Sequence, residues 1–148
     1  MRRIIYTSRA APDLDRAELF RLLYQARLAN EARGMSGVLV QCDGRFLQVL
    51  EGPTWKLFAA FETIRQDLRH RDVEVVCERS IPEATFPAWP MRYFDERSLE
   101  KGMVLMSEAA GGTLPGPIAA AIRDFLITAP RVSLSPPAAV QPSSPRPC

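Results

Sequence analysis

Residues 36–51 have the sequence SGVLVQCDGRFLQVLE, in which two runs rich in apolar residues flank Asp43-Gly44. An Asp-Gly pair between two predicted strands is a strong short-range signal for a β-hairpin, because both residues tolerate the positive φ angles of a tight turn. We therefore predict two antiparallel strands, Ser36–Cys42 and Arg45–Glu51.

The segments around this hairpin alternate between strand and helix patterns. Alternation and β-branched residues predict a strand over Arg3–Ser8. Apolar residues at spacings of three and four predict a helix over Asp15–Arg33, with Asp15 as its N-cap and Gly34 as its stop. A second helix is predicted from Thr54 to about Leu68. The apolar face of the first helix is predicted to consist of Leu19, Leu22, Leu23, Ala26 and Asn30. The apolar stripe of the second helix is predicted to consist of Trp55, Phe58, Phe61, Ile64 and Leu68.

The remaining patterned segments complete an α+β fold. They are a strand over Val73–Arg79, a short strand near Met91–Phe94, and two amphipathic helices near Ser98–Met106 and Pro117–Leu126. The order β-α-β-β-α-β plus an added strand predicts a ferredoxin-like sheet with two helices on one face, since crossover connections are right-handed. Its other face needs a cover, which the C-terminal helical cap or a second subunit can supply.

The length of 148 residues predicts one main domain with two appendages. We expect the sheet domain in residues 1–95, a C-terminal helical extension in residues 96–128 and a tail in residues 129–148. Six of the 13 prolines lie in this tail, which has few apolar residues and no periodicity. That composition predicts a disordered Pro-rich tail, and a proline-rich docking ligand is the alternative.

Composition excludes several classes of protein. A net charge of +2 is too small for a dedicated nucleic-acid binder. No apolar run reaches the roughly 18 residues of a membrane span, and the first residues turn polar too early for a secretory signal. The three cysteines have neither disulfide-framework nor zinc-ligand spacing. We expect a cytoplasmic protein with no metal, no membrane and no nucleic acid.

Three polar residues fall where the pattern predicts apolar ones. Gln48 lies in the apolar alternation of a central strand, Tyr6 points from its neighbour toward the same layer, and Asn30 lies on the apolar face of the first helix. A buried amide or phenol without a partner costs roughly 1–3 kcal/mol, so the three should meet each other, water or a ligand. A satisfied structural cluster is one interpretation. Since no carboxylate or histidine joins them, a planar, redox-active heterocycle is the other.

Five segments carry a resemblance to the BLUF family, the sensors of blue light using FAD. The resemblance runs from about Arg3 to Phe94, with the motifs in matching order and spacing. The segments are IIYTSR (4–9), NEARGMSGVL (30–39), DGRFLQVLEGP (43–53), DLRHRDV (67–73) and FPAWPM (86–91).

The resemblance implies a flavin site between the two helices. FAD would bind non-covalently above the sheet, and FMN or riboflavin could replace it. Asn30 would hold the polar edge of the ring, and Gln48 would bridge Tyr6 and the flavin. In the family, blue light drives electron and proton transfer from the tyrosine to the flavin, and the glutamine then rotates or tautomerises as a hydrogen-bond switch.

Further site residues follow from the same resemblance. Ile64 would pack on the ring, Arg69 and His70 at the end of the second helix would approach the ribityl-phosphate side, and Ser8 would be a ring-side contact. Ordinary core packing for Ile64 and a solvated helix end for Arg69 and His70 are the alternatives.

The resemblance also implies a signal relay at the last strand. Trp89 and Met91 match a motif that passes the switch to the C-terminal helices, and filling a core edge is the alternative. Pro90 between them lacks a backbone N–H and predicts an edge strand or a bulge.

As a whole, the sequence predicts a blue-light photoreceptor of the short BLUF type. It would be no enzyme, would carry no fused output domain, and would signal to a downstream partner protein as a homo-oligomer. A light-independent flavin-binding protein is the main alternative. An RNA-recognition module and an acylphosphatase-like enzyme share the topology, but the sequence lacks their aromatic strands and phosphate loop.

Overall fold

The computed structural model describes residues 1–128, which form five strands and four helices. The predicted tail, residues 129–148, lies outside the described residues. The elements, in chain order, are β1 (Arg2–Ala10), α1 (Arg16–Arg33), β2 (Ser36–Cys42), β3 (Arg45–Gly52), α2 (Thr54–Arg65), β4 (His70–Ser80), β5 (Arg92–Phe94), α3 (Leu99–Ala109) and α4 (Gly116–Ile127).

The five strands form one sheet in the order β4-β1-β3-β2-β5. All neighbours are antiparallel except β2 and β5, which run parallel. This confirms the predicted ferredoxin-like α+β fold with an added strand. Because β5 lies at the edge of the sheet, Pro90 just before it removes no ladder hydrogen bond from the interior, as its position in the sequence predicted.

Local chemistry fixes the ends of α1 and the turn of the hairpin. The Asp15 side chain accepts a hydrogen bond from the backbone N–H of Glu18 at 2.8 Å, which caps the helix start. Gly34 ends the helix in the left-handed region, with φ of 66°. Asp43 and Gly44 both have positive φ, 52° and 72°, as expected for a two-residue hairpin turn.

The predicted apolar stripe of α2 is partly wrong. Trp55 is 85% exposed and Leu68, beyond the helix end, is 91% exposed. The helix ends at Arg65 because the next residues form a turn. The face that packs on the sheet consists of Leu57, Ala60, Phe61 and Ile64, whose spacing is as regular as that of the predicted stripe.

The two faces of the sheet support two separate cores. Helices α1 and α2 cover one face with Ile4, Tyr6 and Leu50 beneath them. Helices α3 and α4 cover the other face, over Leu47 and Val49. The C-terminal helices therefore supply the cover that the alternation of β3 required.

A buried ion pair fixes the loop between β4 and β5. Glu51 on β3 is fully buried and lies 3.4 Å from the Arg3 guanidinium on β1. Its carboxylate also accepts hydrogen bonds from the backbone N–H of Thr85 at 3.1 Å and the Thr85 hydroxyl at 3.0 Å. Burial lowers the pKa of Arg3, and the nearby Glu51 charge opposes this effect. The pair therefore anchors residue 85 of the loop to the two central strands.

No helix within residues 1–128 is both long and apolar enough to cross a membrane. In the same range, no group of three or more His, Cys, Asp or Glu side chains could hold a metal ion.

We predict that Glu51→Gln lowers the free energy of unfolding by about 3–5 kcal/mol, because it leaves the buried Arg3 without its counter-charge. Glu78→Gln is the matched control, since Glu78 pairs with Arg2 at 2.6 Å where both side chains are about 30% exposed. The control should cost at most about 1 kcal/mol. Urea denaturation measures both, and equal losses would contradict the anchoring role.

Candidate functional site

A cavity of about 270 Å³ lies between α1, α2 and the sheet. It is lined mainly by apolar side chains, with a few polar groups converging on it, as is usual for small-molecule sites. Of the predicted site residues, the structure brings these eight into its lining: Tyr6, Ser8, Asn30, Gln48, Ile64, Arg69, His70 and Met91. The ninth, Trp89, is not among the lining residues.

Tyr6 and Gln48 lie directly opposite each other on the central strands β1 and β3. Both are buried, and the Tyr6 hydroxyl donates a hydrogen bond to Oε1 of Gln48. The Gln48 amide nitrogen faces the Met91 sulfur at 3.5 Å. Because a thioether is a weak acceptor and the amide has two N–H groups, Gln48 keeps donor capacity for a molecule in the cavity.

Burial raises the pKa of Tyr6 far above its ordinary value of 10, and the negative charge of Asp67 adds to this effect. The phenol therefore stays protonated at neutral pH and acts as a hydrogen-bond donor. It cannot serve as a general base there.

Asn30 enters the cavity from the last turn of α1. It is buried, and its amide nitrogen donates to the carbonyl oxygen of Pro90 at 2.6 Å. Among residues 1–128 no hydrogen bond uses its amide oxygen, which leaves an acceptor for a bound molecule.

His70 is held on both ring nitrogens. Nε2 donates to the Ile64 carbonyl oxygen at 2.5 Å, since a carbonyl can only accept, and Nδ1 lies 2.9 Å from the Ser8 hydroxyl. The ring stands edge-on to Tyr6, with centroids 6.3 Å apart. The sequence had predicted His70 at the end of α2. In the structure it is the first residue of β4. It forms a wall of the cavity with its polar atoms engaged.

The charge of Arg69 is balanced by two carboxylates. Its guanidinium bonds both oxygens of Asp67 at 2.7–3.1 Å and lies 3.5 Å from Glu18. The hydrogen bond from Arg69 is the main reason that the pKa of Asp67 is lowered. Arg69 lies in the turn after α2, so its predicted place at a helix end is wrong. Arg33, at the end of α1, is a second cation in the lining that the sequence analysis did not single out.

Trp89 and Met91 lie on opposite sides of the sheet. Trp89 stacks on Phe86 with centroids 5.3 Å apart and packs against the core formed with α3 and α4. Met91 is buried beside Gln48 in the cavity. The segment before β5 thus places one side chain in each core.

The sequence model of the family described as "Sensors of blue-light using FAD" matches residues 1–92. The chain belongs to the BLUF family. FAD is the flavin that this family uses to sense blue light. The family assignment agrees with the geometry of the cavity.

Known BLUF proteins resemble the chain in sequence and in fold. It is 33% identical over 97 residues to photoactivated adenylate cyclase subunit beta of Euglena longa, covering 65% of this chain and 11% of the relative. The structure of Klebsiella pneumoniae BlrP1 with FMN and cyclic diGMP has a TM-score of 0.73 and 29% identity, covering 86% of this chain and 34% of BlrP1. The photo-activated state of BlsA has a TM-score of 0.66 and 26% identity, and the match covers 90% of this chain and 99% of BlsA.

The chain spans about a tenth of the length of the cyclase subunits that it matches.

The BLUF cavity fits the ring of a flavin. Asn30 and Gln48 present amide groups at one end, as the carbonyls and nitrogens of the ring require, and Ile64, Ala60 and Leu39 supply apolar walls. The lining of this cavity, whose volume is about 270 Å³, also includes Arg33 and Arg69, two cations that could contact the phosphates of the dinucleotide part.

We predict that Tyr6 does not titrate before the protein unfolds at alkaline pH, because burial disfavours the phenolate. An absorbance titration of the wild type and Tyr6→Phe should give the same number of ionising phenols up to the onset of unfolding. An extra ionisation in the wild type below that pH would contradict the raised pKa.

Proposed function

We propose that this BLUF chain senses blue light through a hydrogen-bond switch at Gln48, with Tyr6 as the electron and proton donor. The observation that carries the proposal is the buried Tyr6–Gln48 pair inside a cavity that fits a flavin ring. When bound, the flavin supplies the absorption of blue light and an acceptor for an electron and a proton.

The protein's part is to hold protons and exclude water. Tyr6 keeps its proton on the hydroxyl oxygen in the dark, since burial disfavours its anion. Gln48 accepts that hydrogen at Oε1. The apolar walls around the pair exclude water that would compete for their hydrogen bonds. A change in the protonation of Tyr6 or in the orientation of the Gln48 amide therefore alters the hydrogen bonding of the other residue.

The Gln48 amide can satisfy its neighbours in two ways. In one, Oε1 faces Tyr6 and the amide nitrogen faces Met91, as in the geometry described above. We infer that this is the dark arrangement, because a protonated phenol requires an acceptor. Rotation or tautomerisation exchanges the donor and acceptor roles of the amide and gives a second arrangement, whose population light would increase.

We further propose that the signal leaves through α3 and α4. Trp89 contacts the core beneath these helices, and its ring lies 6.2 Å from that of Phe94. A Cβ atom on Gly102 of α3 would lie 2.6 Å from the Phe94 ring, so helix and strand are in close contact. Movement of the segment before β5 would therefore be transmitted to α3, and from there to a downstream partner protein or a second copy of the chain.

We predict that Gln48→Leu keeps the yellow flavin but abolishes the light-induced red shift, because leucine offers no hydrogen bond to exchange. Tyr6→Phe should also remain yellow and lose the photocycle. Absorption spectra before and after blue illumination measure both outcomes.

A second Tyr–Gln pair in the same sheet provides matched controls. The Tyr93 hydroxyl donates to Gln41 Oε1 at 2.5 Å, and neither residue lines the cavity. Gln41→Leu and Tyr93→Phe should show the wild-type red shift. A normal red shift in Gln48→Leu would contradict the assignment of Gln48 as the switch. If the wild type bound flavin but showed no red shift, the protein would be a light-independent flavoprotein.

For the relay, we predict that Trp89→Ala retains the red shift but loses the light-dependent change in hydrogen exchange of α3 and α4, since it removes the side chain between the switch segment and the helical core. Trp55→Ala, at an exposed position on α2, is the control. An unchanged exchange response in Trp89→Ala would remove Trp89 from the relay.

A further inference from the structure

Two consecutive backbone carbonyls before β5 are held by side chains of α1. The Asn30 amide donates to the carbonyl of Pro90 at 2.6 Å, and Nε of Arg27 donates to the carbonyl of Met91 at 2.9 Å. Arg27 is an exposed residue and is not among those that line the cavity. This hydrogen bond joins Arg27 to a residue 64 positions away in the chain.

The backbone around Met91 is tied to the sheet on either side of this residue, by the Gly37 N–H that donates to the Trp89 carbonyl at 2.9 Å and by the pairing of Arg92 with Val38. Strand β5 begins one residue later, is three residues long and, among the strands within residues 1–128, pairs with β2 alone. The preceding Pro90 has no N–H to donate. The contacts from α1 therefore restrain the point at which the Met91 side chain enters the cavity.

The Met91 side chain matters because its sulfur is the acceptor of the Gln48 amide nitrogen, at 3.5 Å. A hydrogen bond to a thioether is weak, and it is kept only while the sulfur stays in line with the N–H group. If the Met91 backbone moves, the arrangement in which the Gln48 amide nitrogen faces the sulfur loses its hydrogen bond. The opposite arrangement then becomes relatively more stable.

We propose that Arg27 is a positioning residue of the photochemical switch. By bonding the Met91 carbonyl, it keeps the thioether against the Gln48 amide and so sets the relative stability of the two amide arrangements. This inference rests on the proposed function for its effect on the photocycle, but the placement of Met91 can be measured independently.

A pair of substitutions separates the hydrogen bond from the charge and the bulk of Arg27. In glutamine the amide nitrogen is as many bonds from Cα as Nε is in arginine, so Arg27→Gln keeps a donor at the same reach and removes the charge. Arg27→Met has a methyl group at that position and no donor. Arg16→Met makes the same change at another exposed arginine of α1 and is the control.

The experiment measures thermal recovery of the red-shifted state after blue light. Arg27→Met should slow recovery about fivefold, which corresponds to the net value of one hydrogen bond. Arg27→Gln and Arg16→Met should recover within about twofold of the wild-type rate, which is less than one hydrogen bond is worth. Wild-type recovery in Arg27→Met, or equal slowing in Arg27→Gln, would overturn the proposal.

A second readout needs no photocycle. The NMR signal of the Met91 methyl group, recorded in the dark on the protein as purified, should shift in Arg27→Met and stay in place in Arg27→Gln. If the wild type showed no red shift, the proposed function would fail, but this signal would still decide whether Arg27 positions the thioether. An unmoved methyl signal in Arg27→Met would refute that positioning.

Discussion

The hydrogen bond between Tyr6 and Gln48 is the constraint on which the rest of the site depends. It joins the two central strands of the sheet within an apolar layer, where an unpaired phenol or amide would be unfavourable. Burial keeps Tyr6 protonated, and a protonated phenol directs an acceptor oxygen of Gln48 toward itself. The orientation of one amide is thus fixed by the position of one proton.

The sheet separates the proposed flavin site from the helices through which we propose that the signal leaves. The cavity lies under α1 and α2, whereas α3 and α4 cover the opposite face. The segment before β5 is the link between them, since Met91 points to the cavity and Trp89 to the helical core. Glu51 anchors this segment at Thr85, and α1 holds it at Pro90 and Met91, so both of its ends are tied to elements that line the site.

Local patterns predicted α1 and the hairpin well because their signals are local. Asp15 and Gly34 act on the adjacent backbone, and Asp43-Gly44 fixes its own turn. Helix α2 was harder, because two apolar stripes have the same spacing and only contact with the sheet selects one. Its end was also placed too late, since the Asp67 side chain accepts from the Arg69 backbone N–H and stabilises a turn instead of a further helical residue.

The sequence by itself determined the α+β order of elements, the family resemblance and the layer toward which Tyr6, Asn30 and Gln48 point. Only the tertiary structure placed Tyr6 opposite Gln48, neutralised Arg69 with Asp67 and Glu18, and brought Arg27 to the Met91 carbonyl. The reason is physical. Alternation and helical spacing specify which face a side chain occupies, whereas strand register and the docking of helices bring together residues far apart in the chain.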